Sequence, residues 1–246
     1  MVRFATRIAL IVLLSGAAIV SGCSRSGDGA VPSASKDQLL QLGAASLERG
    51  EPAAAIASYR MVLHRDSLNV DALAGLSQAY RAQGRGYPAD QYLRRAVYLT
   101  YTQGLAALES KDRDAARRAF ERTLGLLPQH PLALIRLGDM ARQDGLQPAA
   151  IEYYRRATGA NPDYSEAYIK LGDACAAAGQ TEQATAAYET AVQLNLNAFD
   201  AYVGLGRIYS LNGNWQMAAD QFGKALLIQP QSEAARSGLA RARQNL

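Results

Sequence analysis

From residue 36 onward, apolar residues recur at helical spacing, and the pattern of small and large positions repeats along the chain. The clearest recurrence has a period of 34 residues and spans 131–232. Leu137, Leu171 and Leu205 match, followed by Gly138, Gly172 and Gly206, then Gly145, Gly179 and Gly213. Ala150, Ala184 and Ala218 follow, then Tyr154, Tyr188 and Phe222, then Ala157, Ala191 and Ala225. Each period holds two short helical patterns, so the spacing predicts stacked helix pairs rather than a globular core.

The small residues fall where two helix backbones must approach, and the aromatic fills the space between them. Gly145, Gly179 and Gly213 end the first helix of each pair, because the residue after a helix often takes a left-handed conformation open to glycine. Pro162 and Pro230 stop the second helix. A single pair cannot bury its own apolar face, so stability must come from neighbours stacked into one continuous core.

Earlier copies are readable with more substitutions. The first runs from about Lys36 to Asn69, with Leu42, Gly43, Gly50, Ala55 and Tyr59 in register. The second begins near Val70 and carries Leu73, Leu76, Tyr80, Gly84, Ala89, Leu93 and Ala96. The alanine equivalent to Ala89 is Ala116, only 27 residues on, so seven residues are missing. Seven residues are two helical turns, and omitting them shifts the helical phase by only about 20°. The third copy therefore starts near Val97, and the simplest reading joins two helices into one from about Ala89 to Ser110. A tight kink near Leu99 is the alternative. Leu93, Ala96, Thr100, Gly104 and Ala107 form one stripe of that helix. Tyr98, Tyr101, Leu105 and Leu108, spaced 3, 4 and 3, form a second, about 120° away. That second face is either buried against adjacent repeats or left as an apolar groove.

The pattern resembles the tetratricopeptide repeat. Leu137-Gly138, Ala150, Tyr154, Ala157 and Pro162 fill its consensus slots in one copy, and Leu205-Gly206, Tyr209, Ala218, Phe222, Ala225 and Pro230 in another. The copy between them departs at Cys175 and Leu196. The resemblance implies an all-α, right-handed superhelical solenoid of about six helix pairs, with repeats one and two over 36–96 and repeats three to six over 97–232. A final helix over 233–246, polar through Arg241, Arg243 and Gln244, is suited to capping the open end. In this family the first helix of each pair lines the concave surface. The corresponding positions form an aliphatic ladder of Ile135, Ile169 and Val203, with Arg136 and Lys170 beside it. The Lys, Arg and Asn pattern with which the family clamps a terminal carboxylate is not recognisable; Asp139, Asp173 and Arg207 stand one turn further on.

Residues 1–22 change the picture of where the chain works. Arg3 and Arg7 form a positive start, and Ile8–Val20 is an apolar run short for a membrane span, as in an export signal. Val20-Ser21-Gly22-Cys23 resembles the bacterial lipobox, which implies acylation of Cys23 and a membrane attachment through its lipid; an ordinary cleaved signal is the alternative. Ser24 after the cysteine resembles the outer-membrane sorting pattern. Residues 23–35 then read as a lipidated start and a flexible Ser/Gly/Ala tether. The formal charge of +4 includes Arg3 and Arg7, and no acid precedes Cys23, so removing the leader leaves +2. That is too weak to imply a nucleic-acid partner.

Candidate chemistry is sparse. His64 and His130 are the only histidines and stand isolated, with no metal spacing. Cys175 occupies a helix-packing slot, and the acids Asp139 and Asp173 follow the repeat. No catalytic residue, metal, cofactor or small-molecule substrate is expected. These readings imply a scaffold or adaptor facing the periplasm from the outer membrane, with the inner membrane or the soluble periplasm as alternatives. Similar architecture occurs in lipoproteins of pilus and secretion systems, of outer-membrane protein assembly, and in adaptors for peptidoglycan hydrolases. The expected partner is a protein, presenting a peptide segment or an amphipathic helix to Tyr98, Tyr101, Leu105, Leu108, Ile135, Arg136, Ile169, Lys170 and Val203. A regulatory adaptor for a periplasmic hydrolase or protease is the second reading, and an enzyme with a hidden site the third.

Overall fold

The computed structural model describes residues 34–246. The export signal, Cys23 and the tether up to residue 33 lie outside the described residues.

Twelve helices follow one another among the described residues: α1 (Lys36–Glu48), α2 (Pro52–Arg65), α3 (Val70–Ala82), α4 (Gly86–Glu109), α5 (Arg113–Leu126), α6 (Pro131–Gln143), α7 (Gln147–Ala160), α8 (Ser165–Ala177), α9 (Thr181–Leu194), α10 (Phe199–Leu211), α11 (Trp215–Ile228) and α12 (Glu233–Gln244). Each packs mainly on its sequence neighbours, and α1 on α3, α6 on α8, α8 on α10 and α10 on α12 form an inner row. The result is an all-α repeat solenoid with its core strung along the stack.

Local chemistry explains the boundaries. Gly50, Gly84, Gly145, Gly179 and Gly213 take φ between +72° and +75° just after the first helix of a pair. Lys111 holds the same slot at φ +62°, a conformation that costs a side-chain-bearing residue about 1 kcal/mol or more. Five helices are opened by a side-chain cap, from Ser35, Asn69, Asp112, His130 and Ser232, each satisfying one of the amides left unpaired at a helix start. Pro128, Pro162 and Pro230 each stand two residues beyond the end of α5, α7 or α11.

The joined helix is continuous. At 24 residues, α4 is the longest element among those described, and its ladder passes Leu99 without interruption. The division expected at residues 96/97 thus falls inside a helix, where no linker intervenes. Ala96, Thr100 and Gly104 are buried along one stripe of α4. Thr100 and Thr123, both fully buried, place their hydroxyls 2.9 Å apart and tie α4 to α5, with carbonyls of Ala96, Val97 and Ala119 in reach. A hydroxyl in a dry core costs free energy unless bonded, so this pair is satisfied by design of the seam.

Between helices the aromatic rings sit on glycine. A Cβ added at Gly172 would lie 2.6 Å from the Tyr188 ring, and at Gly204 only 2.4 Å. Gly43 and Gly75 hold Tyr59 in the same way, as do Gly206 and Gly238 for Phe222. Phe120 and Tyr154 have one such glycine each, Gly104 and Gly138; the second position is occupied by Arg136 and Lys170. Phe120 and Tyr154 are nevertheless fully buried, a burial worth about 1.5–3 kcal/mol for a side chain of that size.

Candidate partner-binding surface

The two apolar faces of α4 have different fates. The stripe through Ala96, Thr100 and Gly104 faces the neighbouring helices and is closed. The second face stays partly open, because the helix that normally precedes a first helix at its side is here in line with it. Tyr98 is 66% exposed. Tyr101 is half-buried, with its ring 5.7 Å from Phe120 and 5.1 Å from His130, centroid to centroid. Leu105 and Leu108 are half-buried against the cluster of Phe120, Leu137 and Met140.

This face forms the floor of a hollow of about 660 Å³. Leu93, Val97, Tyr101 and Leu105 of α4 line one side, and Leu127, His130 and Leu132 of the α5–α6 corner line the other. The hollow stands beside the junction of α4 and α6, which approach each other less closely than α6 and α8 do. Its rim carries Asp90, Arg94, Tyr98 and Thr102. Asp90 is paired with Arg81 at 3.1 Å. Arg94 has no ion pair among the described residues, nor has Arg136, one turn beyond Leu132.

His130 holds the corner of this hollow. It is the N-cap of α6, its Nδ1 accepting the Ala133 amide at 3.1 Å. Burial pushes its pKa below the usual histidine value, so the neutral ring that can accept this bond is favoured.

The expected ladder is only partly on the surface. Ile135 and Val203 are 4% and 6% exposed and belong to the core, Ile135 with Leu134 and Ala167, Val203 with Phe222. Ile135 is thereby covered, whereas Val203, although buried, lines one of the hollows of the inner face with Asp200 and Arg207. Ile169 is half-buried at the edge of a second hollow. Lys170 is already engaged, with Nζ 3.2 Å from Asp139 Oδ1. Asp139 also accepts the Tyr154 hydroxyl at 2.8 Å, and Asp173 accepts that of Tyr188 at 2.7 Å. The acids immediately after Gly138 and Gly172 thus serve the buried tyrosines; the copies with Phe120 and Phe222 carry Leu105 and Arg207 there. Desolvation, with the neighbouring carboxylate second, pushes the Tyr154 and Tyr188 hydroxyls well above the ordinary tyrosine pKa.

Further along the inner face, three hollows of about 670, 510 and 780 Å³ share lining residues and merge over α8, α10 and α12. Glu166, Asp173 and Asp200 line the end nearer α8, while Arg207 and Arg241 line the end at α12 beside Trp215 and Leu211. Partial desolvation raises the pKa of Asp173, whose inner oxygen accepts from Tyr188, and the charge of Asp200 adds to the rise.

Sequence reasoning missed Leu93, Leu127, His130 and Leu132 as wall residues. Leu132 was within reach of it, because it stands 34 positions after Tyr98. Cys175 is buried as its packing slot implies, and burial raises its thiol pKa. Among the described residues no group of acids, histidines or cysteines is arranged to hold a metal ion, and no helix is long and apolar enough to cross a membrane.

A tetratricopeptide repeat model matches residues 40–98 and 101–165, and a second TPR repeat model matches 172–213. A search of the curated proteins finds no match. Among solved structures, the chain superimposes on the Cut9–Hcn1 hetero-tetramer of APC/C with a TM-score of 0.54 at 18% identity, covering 84% of this chain and 42% of that one. It therefore spans less than half the length of that relative. Against pilF of Pseudomonas aeruginosa the TM-score is 0.52 at 20% identity, covering 84% of this chain and 97% of that chain. At such identities these likenesses show the fold alone. With family models over most of the helical array and the glycine-cradled aromatics in place, the chain belongs to the tetratricopeptide repeat family.

Proposed function

We propose that this protein is a lipid-anchored scaffold on the periplasmic face of the outer membrane. It holds protein partners on its inner face during assembly of an envelope, pilus or secretion structure. The observation that carries the binding role is the apolar hollow on α4, open beside Tyr98 and unfilled by the described helices. Exposed apolar surface of this kind, rimmed by charge, is what interaction sites offer. Support for the anchor comes from Val20-Ser21-Gly22-Cys23, since acyl chains contribute about 0.8 kcal/mol per buried CH₂.

Two measurements test the two halves of this reading. Cys23→Ser is expected to leave an unprocessed or mislocalised precursor with intact repeats. Equal membrane fractionation and identical mature mass in the variant would remove the anchor. A photo-crosslinking residue at position 98 is expected to capture a protein in the producing cell, and the same residue at exposed Glu152, on the second helix of repeat four, is expected not to. Equal capture at both positions would place the partner elsewhere.

A further inference from the structure

At most junctions the inner row is made of first helices laid side by side: α1 with α3, α6 with α8, α8 with α10, α10 with α12. Between α4 and α6 the approach is less close than at those junctions, although Leu105 and Leu108 of α4 still pack on the cluster that holds Leu137 and Met140 of α6. The cause lies in the seven absent residues, which place the preceding second helix in line with α4 rather than beside it. What remains is a hollow of about 660 Å³, with apolar walls on both sides and an open front. Its long axis follows α4, because Leu93, Val97, Tyr101 and Leu105 succeed one another at steps of four.

Resting on the scaffold reading above, we infer that this hollow takes an amphipathic α-helix of a partner protein, laid along α4 against the α5–α6 corner and carrying acidic residues on its flanks. A helix fits because its apolar stripe has the same step as the wall of Leu93, Val97, Tyr101 and Leu105 that it meets. Acidic flanks follow from the charges. Asp90 is neutralised by Arg81, whereas Arg94 and Arg136, on the two helices bordering the hollow, have no ion pair among the described residues. Tyr98 and Tyr101 supply the aromatic anchors, one exposed and one half-buried.

The test uses the full chain and fluorescein-labelled synthetic peptides of about 18 residues, long enough to span the hollow at about 1.5 Å per residue. One is a stapled helix with Leu at i, i+3, i+4 and i+7 and Glu on both flanks. Its companions carry Lys in place of Glu, or two central prolines that forbid a helix. Anisotropy titration is expected to show the acidic stapled helix binding best. Tyr98→Glu and Arg94→Glu should each weaken it about tenfold or more, the scale of one lost charge pair or anchor. Arg94→Glu should in turn favour the Lys peptide. Both substituted positions are exposed, and circular dichroism checks that the variants fold.

Equal affinity for the proline-broken peptide would overturn the helix in favour of an extended segment, and preference of the unaltered chain for the Lys peptide would overturn the acidic flanks. Should the protein sediment as a dimer that Tyr98→Glu dissociates, the occupant is a second copy and the inference fails. If no peptide binds, the inference fails as well. In each case crosslinking at position 98 still decides the scaffold reading by itself.

Discussion

His130 does two jobs, of which the capping one depends on its being neutral. Its Nδ1 accepts the Ala133 amide and its ring stands against Tyr101. A proton on Nδ1 would abolish the cap and set a positive charge at the positive end of the α6 dipole. The histidine pKa is lowered in the fold by burial, against about 6.5 in the unfolded chain. Between the two values the unfolded chain binds more protons, so stability rises with pH there. The contribution is fully present above about 6.5 and is lost as pH falls through the depressed folded value. Thermal melts of the unaltered protein should therefore show a loss of about 1 kcal/mol on acidification that His130→Asn, which keeps a capping oxygen and cannot titrate, does not show. Parallel losses in both proteins would assign the acid sensitivity to other groups.

At the scale of the element, α4 is where the two- and four-repeat segments become one body. Gln103 is exposed on this helix, so Gln103→Pro alters the backbone alone, removing one helical hydrogen bond and clashing with the carbonyl of Leu99. It should destabilise the protein by about 3 kcal/mol or more in urea titration, with Gln103→Ala close to neutral. If the proline variant matched the alanine one, continuity of α4 would contribute nothing. This helix was legible in the sequence, because the spacing from Ala89 to Ala116 is shortened by two helical turns and preserves helical phase, which favours one helix over a kink near Leu99. The glycine-ended first helices and the aromatic slots were legible for the same reason, a period repeated often enough to average out substitutions. The burial of Ile135 and Val203 was not. Periodicity tells which residues share a face of one helix, but their exposure depends on how closely the next repeat approaches. That distance is set by pairs such as Gly204 on Tyr188, separated by 16 residues and matched only in space. The hollow beside Tyr98 was half legible: its α4 wall reads as a stripe, while Leu127, His130 and Leu132 come from a corner without periodicity of its own.

For the molecule as a whole, neighbour-only stacking makes the ends decisive. Phe222 is held on its outer side by Gly238 of α12, and Leu239 packs on the same cluster. A chain ending after Ile228 should expose that ring, and α10–α11 should lose hydrogen-exchange protection first, with the effect fading toward α6. The single tryptophan, Trp215, packs on this cluster and reports the change by fluorescence. Uniform loss of protection along the array would mean that the repeats unfold as one unit. The continuity of α4 has a further consequence, for inheritance. Elsewhere a corner between helices absorbs an added or lost codon triplet without turning what lies beyond it. Inside α4 each residue rotates everything downstream by about 100° and moves it by about 1.5 Å. One triplet more or fewer there would swing four repeats out of line with two. Descendants of this gene therefore keep the two segments in line only when a change of length at that point completes nearly whole helical turns, as about seven or about eleven codons do, a rule that lineages with an ordinary corner there do not share.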